Sequence, residues 1–286
     1  MVAWLSGHAA RFGGTLVVML ACFLFAAPLA WPQSATKARS RSKRNGKTAA
    51  ANQKICDRLQ KKYGVEFLVK DGEVNKRTWK EFDCQFATDN DQPQLLAFLK
   101  IFEAEFSKYP TEFVKKSKLQ QVVFAKAMAI NGQYRAAVPD YSAETLYYDF
   151  QMKSQDHYQY RVIHHEYYHM IEEQHHGDAY FKDPAWAALN EPGFKYGKGG
   201  AANRSTALSK YTFPQQGFIN AYAMSGLEED KAEIWSIMFV PQIWNKIKQR
   251  VGRDRIIRKK VAYMQKFASQ QSKTMTGKYW QRTALK

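Results

Sequence analysis

The sequence has little cysteine, no internal repeat and only one long apolar run. Three cysteines occur in 286 residues, and neither their spacing nor their neighbours indicate a metal site. A chain of this length can bury a full core without disulfide staples. No self-similarity appears at periods of 20–50 residues, which excludes a repeat architecture. With a single long apolar run, the chain is not a multi-span membrane protein.

That apolar run lies near the N-terminus. Residues 15–31 carry no charge, follow Arg11 and lead into small residues that end at Ala35. This pattern is typical of a secretory signal peptide over residues 1–35. It predicts a secreted or periplasmic protein with no stable membrane span after the signal is cleaved. A short uncleaved anchor is the alternative.

Export would determine the redox environment of the cysteines that remain after the signal is cleaved. Cys22 would leave with the signal, so the mature chain would hold Cys56 and Cys84 in an oxidising compartment. A Cys56–Cys84 disulfide is therefore predicted. Two buried free thiols are the alternative.

The net charge of +17 comes from the two ends of the chain. Residues 36–54 hold seven basic and no acidic residues, and residues 241–286 hold thirteen basic residues and one acidic residue. The first segment has no large apolar residue and is predicted to be a disordered basic linker. Such an arm can bind an anionic polymer of the cell envelope. An exported protein meets little nucleic acid, so none is expected as a partner. Solvation alone is the alternative role.

Hydrophobic periodicity predicts an α+β fold rather than a repeating βαβ unit. Helices are predicted over 54–63, 92–116 with a break at Pro110, 158–176, 227–250 and 254–270. Strands are predicted over 65–69, 119–128, 133–138 and 144–150. The charges of the last helix would mostly face water. One domain would then cover residues 55–270, followed by a basic C-terminal tail over 271–286.

The third predicted helix concentrates the histidines. Five of the seven fall between 164 and 176, and His165, Glu166 and His169 form an H-E-x-x-H motif. Residues four apart lie on one helix face, about 6 Å apart along the axis. Two imidazoles so placed can reach one Zn²⁺ at about 2.1 Å. Glu166 would lie beside the ion, where a carboxylate can take a proton from an activated water. A charged surface helix with coincidental histidines is the alternative.

A catalytic zinc needs a third protein ligand and one open position. His175 stands six residues after His169, which is the metzincin spacing. That motif has glycine where this chain has Glu172, so the helix is predicted to run on and to carry His175 away. His164 is predicted at the helix surface, with an outer-shell role as the alternative. The other candidate ligands are three adjacent carboxylates on the next helix, Glu228, Glu229 and Asp230.

Here the sequence resembles a known family. Glu229, Ala232 and Glu233 form an E-x-x-A-E motif, and Tyr222 stands seven residues before Glu229. Together with the H-E-x-x-H motif, these residues resemble the gluzincin zinc metallopeptidases, nearest to the anthrax-lethal-factor-like members. The resemblance covers residues 160–240. In it, Glu233 would hold a ligand imidazole from the outer shell.

The resemblance implies a zincin-like metallopeptidase domain, with an active-site H-E-x-x-H helix, a small sheet upstream and a helical C-terminal part. It implies Zn²⁺ held by His165, His169 and Glu229. Glu166 would be the general base, and Tyr222 would donate a hydrogen bond to the oxyanion.

The sequence thus predicts an exported zinc metalloendopeptidase that acts on a peptide or protein substrate. The alternatives are a non-catalytic basic protein that binds an envelope polymer around a structural or vestigial zinc site, and zinc hydrolysis of a non-peptide bond. A structural zinc site usually closes with a fourth protein ligand, so Glu166 beside an open position favours an enzyme. The aromatic-rich segment 178–200 is predicted to line the substrate cleft, or alternatively to form a satellite core.

Overall fold

The computed structural model describes residues 33–75, 77–153, 155–200 and 206–283. Residues 40–286 form one compact unit, and residues 1–39 fall in a second. The predicted signal peptide lies outside the described residues, apart from its last three. Within the described ranges, no helix combines the length and the apolar character needed to cross a membrane.

The fold mixes helices with a small sheet, as the sequence predicts. The helices are α1 (Gln33–Tyr63), α2 (Gln92–Phe106), α3 (Thr111–Lys116), α4 (Tyr158–His176), α5 (Pro184–Ala187), α6 (Leu227–Ile237), α7 (Pro241–Arg253), α8 (Arg255–Gln271) and α9 (Gly277–Trp280). The strands are β1 (Glu66–Leu68), β2 (Phe82–Gln85), β3 (Gln121–Ile130), β4 (Gln133–Tyr134), β5 (Ala137–Asp140) and β6 (Thr145–Asp149).

Strand β3 is the centre of the six-stranded sheet. Its first half pairs in parallel with β1 and β6, and β5 adds antiparallel to β6, which gives the order β1-β3-β6-β5. Its second half pairs antiparallel with β2 and β4. Side chains alternate between the two faces of a strand. Val122 and Phe124 therefore enter a larger core with α2 and α4, whereas Val123 and Ala125 enter a smaller core on the other face.

Aromatic rings fill the larger core and fix the helices on the sheet. Phe102 of α2 is fully buried and packs against five other rings, with centroids 4.9 to 6.3 Å away: those of Phe124, Phe106, Tyr148, Phe67 and Phe98. Such rings dominate core energetics because each buries a large apolar area. The Tyr148 hydroxyl also donates to the carbonyl oxygen of Ile163 at 2.8 Å. That bond ties α4 to β6.

Glycines end two helices where the sequence predicts. Gly64 and Gly177 have φ angles of +72° and +69°, in the left-handed region that glycine adopts at low cost. Helix α1 therefore stops at Tyr63 and α4 at His176. The span of α4 is the predicted one, 158–176.

The basic segment 36–54 differs from its prediction. The sequence predicts a disordered linker, but these residues lie within α1. Asn52 is buried and donates hydrogen bonds to both the side-chain and the main-chain oxygen of Gln92, which docks α1 on α2. Lysine, arginine and the alanines at 49–51 all have good helix propensity. A high positive charge therefore did not exclude a helix.

The predicted basic tail, 271–286, is also packed over its described part. Trp280 of α9 is buried, with its ring centroid 5.4 Å from that of Phe239 and 6.2 Å from that of Trp235. Met275 is fully buried as well. These residues belong to the core of the domain rather than to a separate tail.

The predicted Cys56–Cys84 disulfide is absent, and both cysteines are free. Cys56 lies in the larger core, whereas Cys84 packs against the smaller core on the opposite face of the sheet. A disulfide needs Cα atoms within about 7 Å, and here a sheet stands between them. Burial raises the pKa of the Cys56 thiol to about 12 and also raises that of Cys84. Both therefore remain thiols near neutral pH.

Phe102→Ala is expected to lower the free energy of unfolding by about 3–5 kcal/mol, because it opens a cavity among packed rings. Urea titration followed by circular dichroism measures the change. Tyr134→Ala is the matched control, since its ring is 55% exposed, and it should cost less than about 1 kcal/mol. Similar losses in the two variants would show that the aromatic cluster does not hold the sheet to α2.

Candidate metal centre

Helix α4 places two imidazoles side by side. His165 and His169 are one turn apart, and both are buried. Their ring centroids lie 5.0 Å apart at an interplanar angle of 78°, but their Nε2 atoms are only 3.3 Å apart. The two Nε2 atoms therefore converge on a common point.

Helix α6 brings a carboxylate to the same point. Oε2 of Glu229 lies 3.0 Å from Nε2 of His165 and 3.6 Å from Nε2 of His169. The ligand atoms of the three residues all lie within 4.8 Å of one another. This juxtaposition joins residues 64 positions apart in the chain.

The alternative third ligands are engaged elsewhere or lie apart. The carboxylate of Asp230 pairs with Lys260 at 2.6 Å. The carboxylate of Glu228 accepts the backbone N–H of Gly200. His175 lies at the exposed end of α4. Of the predicted candidates, Glu229 alone joins the two imidazoles.

The donor set and its spacing fit zinc. Two imidazole nitrogens and one carboxylate oxygen are a common ligand set for catalytic Zn²⁺. Ligands about 2.1 Å from a tetrahedral ion are separated from one another by about 3.4 Å. The three separations here are 3.0, 3.3 and 3.6 Å. An ion can therefore enter with only small movements of the three side chains.

A second carboxylate faces the outer nitrogen of His165. Oε1 of Glu233 lies 3.0 Å from Nδ1 of His165, an ion-pair contact rather than an aligned hydrogen bond. Glu233 also pairs with Arg161 and accepts a 2.7 Å hydrogen bond from Asn220. Burial by itself would lower the pKa of His165, but Glu229 and Glu233 outweigh it and raise the pKa to about 10. Because a ligand imidazole must be neutral, binding of a metal here would release that proton.

Glu166 and Tyr222 flank the cluster. Glu166 is partly exposed, unlike the buried ligands. Burial raises the pKa of its carboxyl, opposed by His165 and His169 and reinforced by Glu229. Tyr222, in the turn before α6, hydrogen-bonds to Glu229, and its ring centroid lies 6.0 Å from that of His165. The five predicted site residues are thus neighbours in the structure.

The chain matches a described family over the region that holds this centre. Residues 105–279 match the family described as "Putative zinc-binding metallo-peptidase". The chain belongs to this family. The fold is also similar to the crystal structure of a "putative zinc-binding metallo-peptidase" from Bacteroides caccae, with 17% sequence identity and a TM-score of 0.51 over 84% of this chain and 93% of that one. None of the curated proteins compared with it matches this chain.

Helix α6 also has buried ion pairs that its sequence does not predict. Lys231 pairs with Glu172 of α4, and lies 3.2 Å from Asp183. Asp230 and Lys260 form a pair between α6 and α8 that is closed to solvent. A run of four charged residues normally indicates an exposed turn. The available signal for burial was the rest of α6, which carries Ala232, Ile234, Trp235 and Ile237.

His164, predicted at the helix surface, is fully buried behind the metal centre. Its Nδ1 lies 2.8 Å from the hydroxyl oxygen of Tyr109, and its Nε2 lies 2.9 Å from Oε2 of Glu105. Burial lowers the pKa of His164 while Glu105 opposes the shift, which favours the neutral ring. The Glu105 carboxylate can only accept a hydrogen bond, so the proton of the neutral ring lies on Nε2 and Nδ1 accepts from the Tyr109 hydroxyl. That hydroxyl also accepts a hydrogen bond from Trp235 Nε1 at 3.0 Å.

The aromatic segment 178–200 divides between core and surface. Trp186 is fully buried and donates to Asp230 at 2.9 Å, and the Tyr196 hydroxyl donates to the same oxygen at 2.7 Å. These two rings pack in the larger core rather than in a satellite core, and they hold α6 through Asp230. Tyr180 is 57% exposed. Burial raises the pKa of its hydroxyl, and the charges of Glu228 and Glu229 raise it further.

His165→Ala, His169→Ala and Glu229→Ala are each expected to weaken zinc binding by more than about 100-fold, because each removes a ligand. Competition with a chromophoric chelator measures the affinity. His175→Ala is the control on the same helix and should leave the affinity unchanged. A loss in His175→Ala as large as that in Glu229→Ala would move the third ligand to His175.

Proposed function

We propose that this chain is a zinc-dependent metallopeptidase that hydrolyses bonds in a peptide or protein substrate. The observation that carries the proposal is the convergence of two imidazoles and the Glu229 carboxylate beside a partly exposed Glu166. Among the described residues this cluster has three donors, whereas a structural zinc site usually has four. Membership of a zinc-binding metallo-peptidase family supports the same reading.

Each residue of the centre has a distinct task in this proposal. Zinc bound by His165, His169 and Glu229 would lower the pKa of a water molecule and polarise the substrate carbonyl. Glu166 would accept a proton from the attacking water molecule and would later donate it to the leaving amine. A carboxyl with a raised pKa suits both transfers, since its proton affinity lies closer to neutral pH. Glu233 orients the His165 ring so that Nε2 faces the centre.

Tyr222 is assigned as a hydrogen-bond donor to the developing oxyanion. Burial first, and then the charge of Glu229, raises the pKa of its hydroxyl well above the usual value. The phenol therefore keeps its proton and remains a donor. Without substrate that proton is directed at Glu229. Transfer of the hydrogen bond to a substrate oxygen would stabilise the transition state more than the ground state.

Two finer assignments belong to the same proposal. The first is that the enzyme is a gluzincin-type endopeptidase with a zincin-like fold, in which a glutamate of a second helix is the third ligand. The spacing of Glu229 and Glu233 supports this assignment. The uncharged run at 15–31 supports export through a cleaved signal, and hence a secreted or periplasmic location.

Glu166→Gln is expected to retain stoichiometric zinc but to lose at least about 100-fold in turnover of a fluorogenic peptide library, because the amide cannot accept the proton. Glu173→Gln makes the same chemical change two turns further along α4 and should retain full activity. Normal turnover by zinc-loaded Glu166→Gln would contradict the mechanism.

One observation favours a second role, binding to an anionic envelope polymer through α7 and α8. Eight basic side chains of these helices are exposed: Lys246, Lys248, Arg250, Arg253, Arg255, Arg258, Lys259 and Lys266. Within the described residues none of the eight forms an ion pair. Asp254 is the one acidic residue of α7–α8, and it caps α8 through the N–H groups of Ile256 and Ile257. These exposed cations can therefore attract a polyanion.

Retention on purified cell-wall material is expected to fall steeply from about 0.1 to 1 M NaCl, as the screening length shrinks from about 10 to 3 Å. A variant with four cations of α7–α8 changed to glutamine should lose most of this retention: Lys246, Arg250, Arg253 and Lys259. The matched control changes four exposed lysines elsewhere: Lys61, Lys100, Lys115 and Lys195. Equal retention of the two variants would show that the cations of α7 and α8 are not the polymer-binding site. Glu166→Gln should bind like wild type, which separates this role from catalysis.

A further inference from the structure

Residues 197–200, here called the glycine strap, run along the chain that leads into α6. Their sequence is Gly-Lys-Gly-Gly. The N–H of Gly197 donates to the carbonyl oxygen of Met224 at 3.0 Å, and that of Gly199 donates to the carbonyl oxygen of Ser225 at 2.6 Å. The strap is therefore fixed by main-chain hydrogen bonds to the two residues just before the α6 cap.

The strap closes directly on the Glu229 carboxylate. A Cβ atom on Gly200 would lie 1.8 Å from Oε1 of Glu229 and 2.6 Å from the hydroxyl oxygen of Tyr222. Both distances are far below any contact that packed atoms tolerate. The φ angle of Gly200 is outside the left-handed region, so glycine is needed here for space and not for backbone conformation. The backbone of Gly200 thus forms a wall behind Oε1, while Oε2 faces the imidazoles.

The strap also holds the two carboxylates on either side of Glu229. The N–H of Gly200 donates to Glu228. The hydroxyl of Tyr196, just before the strap, donates to Asp230 at 2.7 Å. Of the three adjacent carboxylates, the outer two are therefore tied to this segment, and the middle one is left to face His165 and His169.

We infer that the glycine strap is the positioning element for the third metal ligand, with Gly200 as the residue that aims the Glu229 carboxylate at the two imidazoles. The inference rests on the proposed metal function of the centre. It adds a requirement that the ligand residues alone do not contain: position 200 must lack a side chain.

The test compares zinc affinity in the full-length chain and in Gly200→Ala by chelator competition, together with the visible spectrum of the Co²⁺ form. Zinc affinity is expected to fall about 10- to 100-fold, as for other changes that disturb ligand orientation, and the Co²⁺ spectrum should change. The unfolding midpoint in EDTA should stay within a few degrees of wild type. Gly72→Ala is the control, because its Cβ would meet no atom within 4 Å. Wild-type affinity in Gly200→Ala overturns the strap inference alone, whereas a wild-type chain that binds no zinc overturns the proposed function as well.

Two further variants test the inference if the Gly200→Ala chain does not fold. In Gly197→Ala the new Cβ would lie 3.1 Å from the carbonyl oxygen of Ser225, so the strap must shift slightly, and a smaller loss of zinc affinity is expected. Unchanged affinity there overturns the inference. Glu229→Asp withdraws the carboxylate from the wall, so Gly200→Ala should weaken zinc binding less in that background than in wild type. Fully additive losses would show that the two positions act independently.

Discussion

The buried charges of α6 are the constraint on which the metal centre depends. Glu229, Asp230, Lys231 and Glu233 are all nearly closed to solvent, and an unpaired buried charge costs several kcal/mol. Each must therefore meet an opposite charge or a hydrogen-bond donor in one and the same packing. Their partners come from α4, from α8 and from the segment between the ligand helices. A rotation of α6 by one residue, about 100°, would break this set of pairings.

These pairs do more for orientation than for stability. A buried ion pair can often be replaced by apolar side chains at little cost in free energy of unfolding, so the Asp230–Lys260 pair is not required simply to hold α6 in the core. Asp230 instead accepts hydrogen bonds from Trp186 and Tyr196 as well as from Lys260, and an apolar residue could accept none of them. Those bonds fix the segment that leads into the glycine strap. The pairing of Asp230 thereby fixes the surroundings of the neighbouring carboxylate, Glu229, which we propose as the third ligand.

The features that could be predicted from the sequence are local ones. Both imidazoles belong to one helix, so a spacing of four residues brings them together whatever surrounds α4. The end of α4 needed only Gly177. The choice between Glu228, Glu229 and Asp230 could not be made from spacing, because it depends on how α6 is rotated against a helix some 60 residues earlier. The family resemblance pointed to Glu229, but the strap that separates it from its neighbours has no counterpart in any local pattern. The predicted Cys56–Cys84 disulfide was wrong for a similar reason, since nothing in the sequence near either cysteine shows that a sheet lies between them.

The basic residues of α8 are of two kinds, exposed and buried. Lys259 and Lys260 are consecutive lysines, yet Lys259 is exposed whereas Lys260 is fully buried. The ammonium group of Lys260 donates to Asp230 and to the carbonyl oxygen of Gly217, and it lies 3.9 Å from the centroid of the Phe218 ring. Burial lowers its pKa while Asp230 opposes the shift, so the ion pair supports the charged form of the lysine. Through Lys260, α8 also helps to fix the orientation of α6, in which Asp230 faces α8 while Glu229 faces the imidazoles.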